Sequence, residues 1–295
     1  MSASNVVRIS AELREELAAS DAPRLVDPRG VPVRVTHLAE IRKSPAHYLY
    51  SVQHGKEETL PLRMGIATHA LVFGTPQVLV YRGGEHADAK GKVKVYSDVR
   101  NGACWEAFKA KHAGDVIVND TELRAAEALA RALTEDMDVA SLLFGAGVEH
   151  EKELTATVDG RKRKGRVDAL TPAALSDLKV VKSSEPRWFR YQARDLCWHA
   201  KLAWYVDLAD LAGYPAREPV LVAVEKTPPH VVQVFRLTDR DYALGQRTYR
   251  EWWDRLMACE AAEGLSGFAP GYAPGPLPLA LDTITWSKES DDDDD

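Results

Sequence analysis

Three residues stand close enough together, on the right kind of segment, to do chemistry jointly: Asp168, Asp177 and Lys179, within GRVDALTPAALSDLKVV (165–181). In a strand, residues i and i+2 project to one face, so Asp177 and Lys179 point the same way. If the flanking strands pair through the TPAA turn, Asp168 lies beside them. Two carboxylates and an ammonium then meet at one point on a sheet. A carboxylate pair suits a hard divalent cation such as Mg²⁺, and without a cation the two acids repel each other. A lysine beside the ion can orient a water and stabilise charge developing on a phosphoryl group. These parts together describe metal-assisted phosphodiester hydrolysis. Taken alone, D-x-K on a strand is more often a solvated surface pair, so the surrounding residues must decide.

The run RKRKGR (161–166) leads into the first of these strands. Alternation places Lys162, Lys164 and Arg166 on the side of Asp168. Either they form a basic ridge that holds a DNA backbone, or Arg161–Lys164 is a solvated hairpin tip. The charge of the whole chain leaves both open. The net charge is −6, but the last ten residues, WSKESDDDDD, carry −5, which leaves a body at −1. Any basic surface must therefore be local. The Asp291–Asp295 run is read as a solvated, disordered tail.

The elements that must position these residues follow from periodicity. The chain has 295 residues, 45% of them hydrophobic, enough for a sizeable core and too many for global disorder. Thr36 is expected to cap a short helix ending at Ser44-Pro45. Residues 62–73 read as a buried helix, 82–103 as a mobile polar excursion, and Asp120 as the cap of a long amphipathic helix. Strands are expected over 153–158 and 165–170, around an Asp159-Gly160 hairpin turn. A third covers 174–181, and two more cover 219–226 and 230–238. A helix is expected from about Arg187 to Ala212, and another from Asp239. The end, GFAPGYAPGPLPLAL, is too rich in Pro and Gly for regular structure. Trp204, Trp252 and Trp253, on amphipathic helices, are read as core or interface. The order implies an α/β domain with a central mixed sheet flanked by helices. No apolar run approaches a membrane span, the N-terminus does not read as a secretory signal, and Cys104, Cys197 and Cys259 are scattered. A reducing cytoplasm is the expected location.

With these elements placed, G-x-V-D followed nine residues later by D-L-K resembles the core of the PD-(D/E)XK nuclease superfamily. Within it the chain resembles RecE-like (exodeoxyribonuclease VIII-type) and RecB-like phage exonucleases. Four further segments fit in order: RKSPAHYLY (42–50), MGIATHALVFGTP (64–76) with Gly65 and His69, HEKELTATVDG (150–160), and VLVAVEKTPPHVVQVFRLT (220–238). One departure is clear. The family helix carries Q-x-x-x-Y, whereas WHAKLAWYVD (198–207) has Lys201 ahead of Tyr205. Val180 also stands where the family often has Thr.

The resemblance implies a restriction-endonuclease-like core in a single domain over 34–287, with an N-terminal extension (1–33) and the acidic tail (288–295). It implies Mg²⁺, with Mn²⁺ able to substitute, held by Asp168, Asp177, the Leu178 carbonyl, an upstream acid and His69. Glu151 is the upstream acid of choice, with Glu149 and Glu153 as neighbouring alternatives. Lys179 would position the attacking water, and Lys164, Arg166, Lys201 and Tyr205 would contact DNA. The implied activity is 5′→3′ digestion of one strand of linear duplex DNA. This would leave a 3′ single strand for a RecT-like annealing partner, and the enzyme could be a homo-oligomeric ring. A nickase or endonuclease, or a non-catalytic DNA-binding recombination accessory protein with the same fold, are the alternatives. Iron–sulfur variants need four cysteines, and three exclude them.

Overall fold

The Asp159-Gly160 turn sets the register of the sheet. In the computed structural model, which describes residues 27–55, 59–87, 93–96, 98–214 and 217–269, both turn residues have positive φ, 50° and 73°. This is the backbone twist that a two-residue hairpin needs. It joins β5 (Glu149–Val158) to β6 (Arg161–Leu170), both longer than expected because pairing runs to the turn itself, Val158 opposite Arg161. β7 (Ala174–Val181) returns antiparallel to β6, β8 (Glu218–Glu225) lies parallel to β7, and β9 (Val232–Arg236) closes the sheet antiparallel to β8. The order β5-β6-β7-β8-β9 is the mixed sheet expected.

Helices cover both faces. On one side lie α8 (Trp198–Leu211) and α9 (Asp239–Glu260). They share a core with Leu154, Val167, Leu175 and Leu221 of the sheet and with Val35, Leu38 and Ile41 of the N-terminal segment. The other face packs on α3 (Leu60–Phe73), α5 (Asp120–Glu135) and α6 (Met137–Phe144) through Phe73, Leu129, Leu133, Val139 and Leu143. Helices α8 and α9 approach closely because Gly245 has no Cβ: one built there would lie 2.5 Å from the His199 carbonyl oxygen. Asp207 ties the pair, accepting hydrogen bonds from Tyr242 Oη, Tyr249 Oη and Gln246 Nε2. Trp204, Trp252 and Trp253 are buried in this core, and no described helix is long and apolar enough to cross a membrane.

Several local expectations are corrected. Residues 35–42 form α1 (Val35–Leu38) followed by a 3-10 turn, with Arg34 rather than Thr36 at the N-cap. A separate helix, α2 (Pro45–His54), is capped by Ser44, whose Oγ accepts from the His47 N–H. Asn119, not Asp120, caps α5 in a reciprocal capping box with Glu122; Asp120 pairs with Arg82 instead. The polar stretch 82–103 contains an antiparallel pair, β2 (Gly84–Ala87) and β3 (Val93–Tyr96), and leads into α4 (Gly102–Lys111). A small parallel pair, β1 (Val78–Val80) with β4 (Val116–Val118), was not expected at all. The helix expected over 187–212 is two, α7 (Pro186–Asp195) and α8, broken at Cys197 with φ 53°.

The hairpin tip is not solvated at Arg161 or Arg163. Arg161 is ion-paired with Glu260 and donates to the carbonyls of Pro28 and Val31. Arg163 is buried, with its guanidinium 3.9 Å from the Trp253 ring centroid and 4.7 Å from that of Trp204. Val33 bridges to the same strand, so residues 27–33 of the expected N-terminal extension join the fold. The rest of that extension, the Pro/Gly-rich end from 270 onward and the acidic tail lie outside the described residues.

Candidate functional site

The site forms where the ladder between β6 and β7 stops. Only Ala169–Ser176 and Leu170–Leu175 pair. Beyond them the Leu178 N–H donates instead to Asp168 Oδ2, at 2.7 Å. The carboxylate thus takes the place of a ladder acceptor and is held by it. On the other side of β6, His150 pairs with Ala169 and Lys152 with Val167, but Glu151 between them forms no pair. Glu151 adopts φ 49°, a left-handed conformation that is unfavourable for a residue with a Cβ. The sheet is therefore distorted on both sides of Asp168.

Helix α3 brings His69 over this gap. Its Nε2 lies 2.9 Å from the Leu178 carbonyl oxygen and its Nδ1 3.6 Å from Asp168 Oδ2. A carbonyl only accepts, so Nε2 carries a proton and donates to it, and Nδ1 is the ring nitrogen that faces Asp168. The ligand atoms of His69, Glu151 and Asp168 all lie within 4.8 Å of one another. Asp177 faces the same cleft but is ion-paired with Lys179 Nζ. Lys179 also donates to the Leu178 carbonyl at 3.3 Å, and its ammonium lies 5.9 Å from the Trp198 ring centroid. The Leu178 carbonyl, expected as a metal ligand, thus already accepts from two side chains.

These groups line a cleft of about 480 Å³, together with Gly65, Lys164, Arg166 and Tyr205. Lys164 is ion-paired with Glu153 at 2.7 Å, and Arg166 Nε lies 2.5 Å from Glu151 Oε2. Glu149 pairs with Lys152. Of the three candidate upstream acids, Glu151 is the one that lines the cleft. Tyr205 can reach it because Gly165 leaves room: a Cβ there would meet the tyrosine ring and Leu208 at 2.9 Å. Burial, with the charges of Asp177 and Asp168 beside it, raises the Tyr205 pKa and keeps the phenol protonated. Lys201 and Lys162 do not line the cleft. Arg34 and Thr36 do, and sequence spacing gives no signal for them because they enter from the N-cap and first turn of α1, far along the chain from the other lining residues.

Burial pushes the Asp168 carboxyl up to about 6, with nearby His69 opposing and Asp177 adding to the rise. A carboxylate that is costly to ionise is one that a cation would stabilise. The Glu151 Oε2 atom gives an independent sign: it is buried and makes no hydrogen bond of good geometry, despite its ion pair with Arg166. Two carboxylates and an imidazole nitrogen form a donor set that suits a divalent ion such as Mg²⁺ or Mn²⁺. The residues present fit such an ion.

A family model described as a PDDEXK-like domain of unknown function (DUF3799) matches residues 34–267. No curated protein matches the chain in sequence. Among solved structures, the chain is similar to one from Eubacterium rectale described as a "Putative exonuclease". The TM-score is 0.56 and the identity 13%, over 86% of each chain, a likeness of fold.

Proposed function

The chain belongs to the PDDEXK-like domain family matched over residues 34–267, and from that premise we propose that it is a metal-dependent deoxyribonuclease. One observation carries the reading: His69, Glu151 and Asp168 converge within 4.8 Å, in a cleft that also presents Lys179. His69, Glu151 and Asp168 would hold the ion, and Asp177 would join them through its other carboxylate oxygen while it keeps its ion pair with Lys179. A bound divalent ion would supply Lewis-acid stabilisation of charge on the phosphodiester.

The chain's own groups do the rest. Lys179, anchored by Asp177 and the Leu178 carbonyl, is placed to hold a water by its lone pair. Its three donors allow a third bond beside those two. His69 keeps Nδ1 on the Asp168 side by donating through Nε2. Lys164 and Arg166, on the rim, supply positive charge for a phosphate backbone. The protonated Tyr205 hydroxyl can donate to a phosphate oxygen but has no role as a base.

The finer reading is an exonuclease on linear duplex DNA with a 5′→3′ direction, using Mg²⁺ and leaving a 3′ strand for an annealing partner. The ordered set of RecE-like motifs supports it, as does the description of the E. rectale protein. Incubation with end-labelled linear and circular duplex DNA, in Mg²⁺ or EDTA, tests both levels. Loss of label from linear DNA only, abolished by EDTA, is expected. Nicking of circles would replace the exonuclease reading with an endonuclease, and no cleavage of either would overturn the nuclease.

A further inference from the structure

We infer that the outer face of α7 is a binding platform for single-stranded DNA. This deepens the nuclease reading and rests on it. Helix α7, PRWFRYQARD, is anchored to the core through Phe189, whose ring stacks on Phe235 at 3.8 Å between centroids. At 100° per residue, Arg187, Arg190 and Arg194 form one stripe on the opposite side, with Trp188 and Tyr191 beside it. Trp188 is 65% exposed and Tyr191 53%, with their ring centroids 6.3 Å apart. None of the ion pairs among the described residues involves Arg187, Arg190 or Arg194. The one acid in the first turns' reach, Glu185, accepts from the N–H groups of Arg187 and Trp188 and so serves as the helix cap.

Two wide-open aromatic faces beside three uncompensated guanidinium groups match one kind of partner: a polyanion whose bases are unpaired. Phosphates would meet the arginines and bases would stack on Trp188 and Tyr191. Duplex DNA offers the charge but keeps its base faces inside the stack. The patch is local in a chain whose body is close to neutral, so its basicity is not a by-product of overall charge. The anchored side of the helix packs near the site: Lys179 lies 5.9 Å from the Trp198 ring, and that ring lies 5.4 Å from Phe189.

The test compares wild type with Trp188→Ala/Tyr191→Ala and Arg187→Ala/Arg190→Ala. Anisotropy in EDTA measures binding of labelled oligo(dT), an abasic oligomer of equal length, and a blunt duplex. The aromatic variant should lose about tenfold or more in oligo(dT) affinity while abasic and duplex binding hold. Trp188→Phe/Tyr191→Phe should restore it. The arginine variant should flatten the salt dependence of oligo(dT) binding by about 0.7 per residue in the log–log slope. Unchanged oligo(dT) affinity in the aromatic variant, or an equal loss for duplex, would overturn the platform. Cleavage of end-labelled duplex in Mg²⁺ is measured on the same wild-type preparation. Inactive wild type with a normal oligo(dT) response would overturn the nuclease alone, and active wild type without that response would overturn the platform alone.

Discussion

Asp168 is the residue on which the site turns. Its carboxyl, lifted from an ordinary 3.8 to about 6 chiefly by burial, holds a proton more tightly in the folded chain than in the unfolded one. The metal-free protein therefore loses stability from this group as pH rises from about 4 to about 6. Asp168→Asn keeps an acceptor for the Leu178 N–H and removes the charge. In EDTA its melting temperature should gain on wild type across that window and stay at or above it at higher pH; a variant that melts lower at pH 7.5 would contradict the account. Its cleavage should fall by more than about a hundredfold, since even residues behind a metal ligand are worth 10- to 100-fold. Lys179→Ala should lower kcat by about 10²–10⁴-fold with little change in DNA affinity in EDTA, because its role is in the transition state. If affinity collapses while single-turnover cleavage stays normal, Lys179 is only a phosphate anchor. Lys201→Gln, by contrast, should leave cleavage within about twofold of wild type, because Lys201 does not line the cleft; a larger change would place it in the site.

At the scale of elements, the site depends on how closely α8 approaches β6 and α9. Gly165 and Gly245 make that possible, the first beneath Tyr205 and Leu208, the second against the backbone of His199. Gly245→Ala forces its Cβ onto a carbonyl oxygen that cannot rotate away. Overpacking of this kind costs about 1–3 kcal/mol, which urea denaturation would read. A neutral result would mean that α9 can slide. Asn119 acts far from the cleft, and its capping box serves α5, the helix that backs α3 and so steadies His69. The break at Cys197 has a consequence of its own. By ending α7 there, it turns that helix's arginine and aromatic stripes outward while α8 stays buried in the sheet's core.

For the molecule as a whole, metal and fold are expected to be coupled. The unfolded chain cannot gather a histidine from α3, an acid from β5 and another from β6. An ion that binds only the folded form stabilises it by an amount that grows with concentration, about 2.7 kcal/mol at a hundred times Kd. Mg²⁺ or Mn²⁺ should therefore raise the melting temperature of wild type, and EDTA should reverse the gain. Glu151→Gln should need about tenfold or more additional metal for the same shift. An equal shift in both proteins would remove Glu151 from the ligand set.

Period-two alternation around 165–181 and the Asp159-Gly160 turn were enough to specify the hairpin, the third strand and the common face of Asp177 and Lys179. These are local properties, written in side-chain order and turn conformation. The order of strands and helices likewise sufficed for a mixed sheet flanked by helices. The choice among Glu149, Glu151 and Glu153 was not local. A left-handed residue at 151 sends Glu151 into the cleft while its neighbours pair with lysines, and that backbone choice depends on the gap opposite Asp168. The capture of the Leu178 carbonyl by His69, the burial of Arg163 between tryptophans and the placing of Tyr205 but not Lys201 in the cleft each join segments far apart in the chain. Contacts of that kind depend on how α3, α8 and the sheet pack in three dimensions, which no spacing along the sequence encodes.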